Sequence, residues 1–236
     1  MNYTFENILF IDVETVPQAA SYGDLPEAIK ALWEKKSMYF RKEEQSAEDV
    51  YERAGIWAEF GRIVCISVGF IHSRKGERVF RVKSFFVDDE KTLLADFSKM
   101  LHTFFAKKKN AQLCAHNGKE FDFPYIARRM LINGLALPRM LDVAGSKPWE
   151  IPFIDTMELW KFGDYKHFSS LNLLTTIFSI PSPKDDMDGS QVAAVYYNDG
   201  DINRIVRYCE KDVLAVAQLL LRYQGEPLLT EVEQVF

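Results

Sequence analysis

Asp12 and Glu14 interrupt the apolar run Ile8-Leu9-Phe10-Ile11-Asp12-Val13-Glu14-Thr15. Successive strand side chains alternate faces, so the two carboxylates project together, about 6.6 Å apart along the strand. Asp is depleted in strands, and two uncompensated buried carboxylates are costly or take up protons. A multivalent cation, which favours carboxylate oxygens, is one partner that compensates them. The other reading is a polar strand end with both groups in solvent. The same acid-x-acid spacing recurs at Asp186/Asp188, Asp199/Asp201 and Glu231/Glu233, but only the first pair lies inside a hydrophobic run.

Two further constellations carry carboxylates. In Leu113-Cys114-Ala115-His116-Asn117-Gly118-Lys119-Glu120-Phe121-Asp122 a short apolar run gives way to a glycine-containing loop, and Asp122 falls at the first turn of a helix. Asp122 there is a helix cap or dipole partner, or a ligand group, since strand end, loop and helix start is where α/β sheets gather their ligands. Asn117 reads equally as a turn residue. Near the C-terminal end, Ile202, Ile205, Val206, Cys209, Val213, Val216 and Leu220 form an apolar stripe, and Tyr208 and Asp212, four apart, share a face at its edge. Tyr197 and Asp201 have the same spacing but straddle the turn Asn198-Asp199-Gly200.

The elements that position these groups follow from periodicity. A first strand over about 7–14 is followed by a Glu-, Lys- and Ala-rich stretch, 24–55, that predicts one or two helices. Ile63 to Ile71 and Val79 to Val87 read as strands joined by the turn 72–76, giving three antiparallel strands at the start. Asp88-Asp89 opens a helix over 89–106. A fourth strand covers 111–115, a helix 122–132 ends at Asn133-Gly134, and a fifth strand covers 151–155. Helices over 169–178, 188–197 and 201–223 follow, punctuated by Pro181, Pro183 and Asn198-Asp199-Gly200. No repeat or compositional break marks a second domain, so the expectation is one α/β domain over 1–236 with a helical insertion at about 24–55.

Composition is that of an ordinary globular chain: 47% hydrophobic and 27% charged over 236 residues. No apolar run approaches the roughly 18 residues a membrane span needs, and no signal peptide is legible, so a cytoplasmic location is expected. Cys65, Cys114 and Cys209 are widely spaced and without a CxxC pair, which argues against a disulfide framework or a zinc site. The net charge of −5 lends no support to non-specific nucleic-acid binding. Local basic stretches, Lys35-Lys36 with Arg41-Lys42, Lys107-Lys108-Lys109 and Arg128-Arg129, read first as solvated faces. The first of these, with Tyr39 and Phe40, also has the mixture of charge and rings that grips single strands.

Together these pieces resemble the DEDD 3′→5′ exonuclease superfamily over nearly the whole chain. Asp12-Val13-Glu14-Thr15 is similar to its first motif, Asn117-Gly118-Lys119-Glu120-Phe121-Asp122 to its second, and Tyr208-Cys209-Glu210-Lys211-Asp212 to its third; the tyrosine marks the DEDDy branch. Gly61-Arg62-Ile63-Val64-Cys65-Ile66-Ser67 and Ile154-Asp155-Thr156 add a similarity to stand-alone relatives of the family B DNA polymerase exonuclease domain. The resemblance implies a ribonuclease H-like fold, a five-stranded mixed sheet flanked by helices with Asp12 and Glu14 on its central strand. It also implies two divalent ions, Mg²⁺ or Mn²⁺, held by Asp12, Glu14, Asp122 and Asp212, with Tyr208 aiming a water. Thr15, Asn117 and Phe121 resemble residues that hold the terminal nucleotide, although Phe121 reads equally as core. The substrate implied is the 3′ end of single-stranded DNA. The alternatives are a 3′→5′ exoribonuclease, which differs in contacts to the 2′-hydroxyl, and a catalytically silent nucleic-acid-binding module.

Overall fold

The computed structural model describes residues 3–164, 168–181 and 187–234. Asp186 and Pro183, noted above, lie outside the described residues. The backbone is organised by a six-stranded sheet in the order β5-β4-β1-β2-β3-β6. β1 (Ile8–Pro17), β2 (Gly61–Arg74) and β3 (Glu77–Phe85) are the expected antiparallel run. The β2–β3 turn tightens to Lys75-Gly76, both with positive φ (52° and 88°), the conformation whose twist matches that of the flanking strands. β4 (Gln112–Ala115) lies parallel to β1, and the two-residue β5 (Ile154–Asp155) parallel to β4.

The five expected strands are joined by a short sixth. β6 (Val232–Gln234) lies parallel to β3, and its acidic neighbourhood is cross-strand pairing: Glu233 meets Arg81 at 2.9 Å and His72 at 3.4 Å, and Glu231 and Glu233 both pair with Arg74. That explains the Glu231/Glu233 repeat of the acid-x-acid spacing.

Strand alternation sorts β1 between two layers. Leu9, Ile11 and Val13 pack with Leu93, Phe97 and Leu101 of α2 (Glu90–Lys107) and with Phe123, Ile126 and Met130 of α3 (Asp122–Ile132). Ile8 and Phe10 pack on the other face against Val213, Val216 and Leu220 of α7 (Ile202–Tyr223), and Val16 packs with Ile205, Val206 and Cys209 of the same helix. Asp12 and Glu14 therefore fall in the α7-facing row, between Phe10 and Val16. The apolar stripe of α7 presses that helix onto this row, with roughly 1.5–3 kcal/mol gained per large aliphatic side chain buried.

Between β1 and β2 in sequence order lie α1 (Glu27–Ser37) and a 3-10 turn, Tyr51–Ile56. The expected helical stretch 24–55 thus forms one regular helix. The intervening 38–50 folds back so that Ala47 and Val50 close over Trp33, whose indole N–H donates to the Ala47 carbonyl at 2.8 Å. α4 (Thr156–Lys161) and α5 (Leu171–Ile177) follow β5. The expected helix 188–197 is a composite of 3-10 turn Gly189–Gln191, α6 (Val192–Ala194) and a π turn Val195–Asp199. Asp201 caps α7 by accepting the Arg204 N–H, and Tyr197 donates to the Pro17 carbonyl at 2.6 Å, so the Tyr197/Asp201 spacing is structural. A mixed sheet opened by three antiparallel strands and flanked by helices is the ribonuclease H-like arrangement. Among the described residues no helix is long and apolar enough to cross a membrane.

Candidate active site

β4 is only four residues long and pairs with β1 no further than Phe10, so β1 runs on past it with one edge open. Asp122 fills that edge. It is the first residue of α3, only 3% exposed, and its carboxylate accepts the backbone N–H of Val13 and its own N–H. Asp122 is therefore tied to the strand between Asp12 and Glu14, which simple capping of its helix does not require.

On the far side, α7 brings Tyr208, Cys209 and Asp212 against the same row. Carboxylate oxygens of Asp12 and Glu14 and the Cys209 sulfur lie within 4.8 Å of one another, and the Cys209 thiol donates to the Asp12 carbonyl at 3.4 Å. The Tyr208 hydroxyl donates to Asp212 one helical turn on. Glu14 is 7% exposed. Directly after it the β1–β2 register slips, with Glu14 opposite Cys65 but Thr15 opposite Ile63. The bulge puts consecutive residues Val64 and Cys65 into the α7-facing cluster, while Ile63 and Ile66 face α2. Such bulges re-aim side chains beside them.

Electrostatics follow from this crowding. Burial, then the charges of Asp212 and Asp122, push the Asp12 carboxyl well above the usual range. Burial and the neighbouring Asp12 do the same for Glu14. Asp122 is pushed up to about 7 by burial, with Asp155 and Asp212 adding to it against the lowering effect of its two backbone hydrogen bonds. Burial, then Asp212, Glu14 and Asp12, push the Tyr208 hydroxyl far up, so it stays protonated near neutral pH.

The donor set fits hard divalent ions. Four carboxylates converge from a strand, a helix start and a late helix, with mutual repulsion that a cation relieves. Cys209 does not belong to that set: burial pushes its thiol well up, and the thiolate is the form that binds metal.

The loop carrying Asn117 is organised by a residue the sequence reading did not place in the site. Asp155, 4% exposed, accepts the backbone N–H groups of Asn117 and Lys119 at 3.0 Å each and caps α4 through Met157 and Glu158. Its signal in the sequence was the motif Ile154-Asp155-Thr156, which carried part of the family resemblance but no site role. Asn117 is held in the left-handed region (φ 61°), and its buried side-chain oxygen has no partner among the described residues. Gly118 packs so close to Ala115 that a Cβ would lie 2.4 Å from that side chain.

Beside Glu14 opens a cleft of about 510 Å³, lined by Thr15 and Phe121 on one side, Arg53 and Ile56 of the 3-10 turn on another, and Gly189 and Ser190 on a third. Phe121 is half-buried: it packs on the core cluster and on Tyr125 and also lines the cleft, so both readings of it hold. Asn117 is not among the cleft residues. Tyr125 ties the walls together, donating to the Gly55 carbonyl at 2.7 Å and accepting from Thr15. Gly61 is required there, since a Cβ would lie 2.2 Å from the Tyr125 hydroxyl.

Two basic stretches depart from a solvated face. Arg129 is buried and paired with Glu90, also donating to the Ala58 carbonyl at 2.8 Å, because α3 turns it inward against α2. Phe40 stacks on Trp57 at 4.8 Å and so belongs to the Trp33 cluster, whereas Tyr39 is exposed. The three cysteines are free and buried.

Residues 56–229 match a family described as predicted 3′-5′ exonucleases related to the exonuclease domain of PolB. The match spans most of the chain, and the protein belongs to that family. The matched span contains Asp122, Tyr208 and Asp212; Asp12 and Glu14 precede it and are brought to them by the sheet. No match was found among curated proteins.

Proposed function

We propose that the protein is a metal-dependent 3′→5′ exonuclease that hydrolyses phosphodiester bonds from the 3′ end of single-stranded nucleic acid, with DNA favoured. The observation that carries this reading is the convergence of Asp12, Glu14, Asp122 and Asp212 on one end of β1, beside a cleft, in a chain of an exonuclease family.

Those four carboxylates would hold two divalent ions, Mg²⁺ or Mn²⁺, which supply Lewis-acid stabilisation of the phosphate and a water of lowered pKa. Tyr208, protonated and held by Asp212, orients a water rather than removing its proton, a contribution to the entropic part of the barrier. Thr15 and Phe121 hold the terminal nucleoside, Phe121 by offering a ring face. Arg53 reaches the same cleft from the opposite wall and favours the phosphate. The unpartnered Asn117 oxygen accepts a sugar hydroxyl or a base N–H.

The test is incubation of end-labelled single-stranded DNA and RNA with Mg²⁺ or Mn²⁺, with Asp12→Ala as control. Stepwise shortening of DNA by wild type alone is expected. Faster shortening of RNA would reassign the substrate, and binding without cleavage of either polymer would favour a silent binding module.

A further inference from the structure

A second pocket of about 440 Å³ lies at the far end of α7 from Tyr208, lined by Tyr3, Leu159, Trp160, Phe162, Phe178, Arg222, Tyr223 and Gln224. Its walls are aromatic. Trp160 stacks nearly parallel on Tyr223 (6.0 Å, 15°), and Phe178 meets both edge-on at 5.5 and 5.6 Å.

Core packing accounts for the inner rings, which sit on Leu174, Ile180 and Leu219. Three features exceed it. The Tyr223 hydroxyl is a buried polar atom with no partner among the described residues, a costly state unless a ligand supplies one. Phe162 caps α4 in the left-handed region (φ 44°), a position that favours glycine, and is 90% exposed. Arg222 places a cation on the rim. Aromatic faces with a free ring edge and a guanidinium suit a nucleobase and its phosphate, by stacking and charge.

Position links this pocket to the carboxylates. Asp212 and Tyr223 are eleven residues apart on one continuous helix. That is close to three full turns, so they lie on the same side, about 16 Å apart. α4 leads the same way, from Asp155 beneath the Asn117 loop to Trp160. Exposed Phe168 adjoins Ser169, whose carbonyl holds His116 next to Asn117.

We infer that this pocket is an accessory site for a nucleobase of the substrate strand, several nucleotides on the 5′ side of the end being cut. The inference rests on the exonuclease reading. It makes the protein a nuclease that grips a single strand at two points and works best on strands long enough to reach both.

Two variants test it without touching the carboxylate site. Phe162→Gly combined with Arg222→Gln removes the exposed ring and the cation while placing glycine where the backbone favours it. Tyr223→Phe removes only the orphan hydroxyl, a change that leaves folding stability equal or higher. For an oligonucleotide of about a dozen nucleotides, both variants should raise KM roughly tenfold with kcat unchanged, while trinucleotide cleavage stays as in wild type. Binding of the same labelled strand, measured by anisotropy in chelator, should weaken roughly tenfold in parallel. Unchanged long-strand affinity in both variants overturns the accessory site. Wild type that cleaves neither strand overturns the exonuclease reading instead, and the chelator titration still decides the pocket.

Discussion

The carboxylate of Asp122 accepts the backbone N–H of Val13, the residue between Asp12 and Glu14. One hydrogen bond thereby joins the helix start of the second motif to the strand of the first and fixes the separation of three acids. Asp122→Asn keeps an acceptor for that N–H, whereas Asp122→Ala leaves it buried and unpaired. In chelator, urea unfolding should find the Ala variant about 1–3 kcal/mol less stable than the Asn variant. Equal stabilities would mean that Val13 finds another partner.

Like charges crowded in this way cost stability when no cation is present, on the order of 4 kcal/mol for a pair 4 Å apart at an effective dielectric of about 20. Mg²⁺ or Mn²⁺ should therefore raise the melting temperature of wild type, by about 2–4 °C for each kcal/mol of binding energy. Asp12→Asn should melt higher than wild type in chelator and respond much less to metal. Wild type and variant melting alike, with and without metal, would count against a cation site.

Tyr208 is too weakly acidic in its setting to serve as a base, since burial and three neighbouring carboxylates hold its proton. Tyr208→Phe should lower kcat by roughly ten- to a hundredfold through lost orientation, with KM nearly unchanged. Full turnover by the Phe variant would remove the hydroxyl from the mechanism.

His116 donates from Nε2 to the Ser169 carbonyl at 2.9 Å, and burial lowers its pKa below the ordinary 6.5. The folded protein thus resists protonation that the unfolded chain accepts. Its contribution to stability is complete above pH 6.5 and is lost as pH falls from there toward the lowered folded value. The stability difference between wild type and His116→Gln should shrink between pH 7.5 and 5.5, as about those limits bracket the ordinary histidine pKa. A difference constant across that range would show that His116 charges freely in the fold.

What the sequence made legible was local. The alternation Ile8-Phe10-Asp12-Glu14-Val16 and the stripe on α7 are short-range patterns, and they suffice to place both carboxylates opposite Asp212. The bounds of α3 follow from Asp122 and Asn133-Gly134 in the same way. The features that escaped depend on distant partners. The bulge at Val64 is a property of the β1–β2 pairing, and Asp155 acts on a loop 38 residues away in sequence. The sixth strand is three residues long and is held by Arg74 and Arg81 of another hairpin. In the 24–55 stretch a helical composition was overridden by Trp33, which draws Ala47, Val50 and Tyr51 into a cluster that a second helix would not have formed. That folding-back sets Arg53 and Ile56 on the wall of the cleft.

The central claim is that these four carboxylates cut a single strand from its 3′ end. Its most direct test is digestion of 5′-labelled linear single-stranded DNA beside the same sequence closed into a circle, in Mg²⁺ or Mn²⁺. The linear strand should shorten one nucleotide at a time from the 3′ end while the circle stays intact, and Asp12→Ala should leave both untouched. Cutting of the circle, or an intact linear strand under conditions where the metal raises the melting temperature, would contradict it.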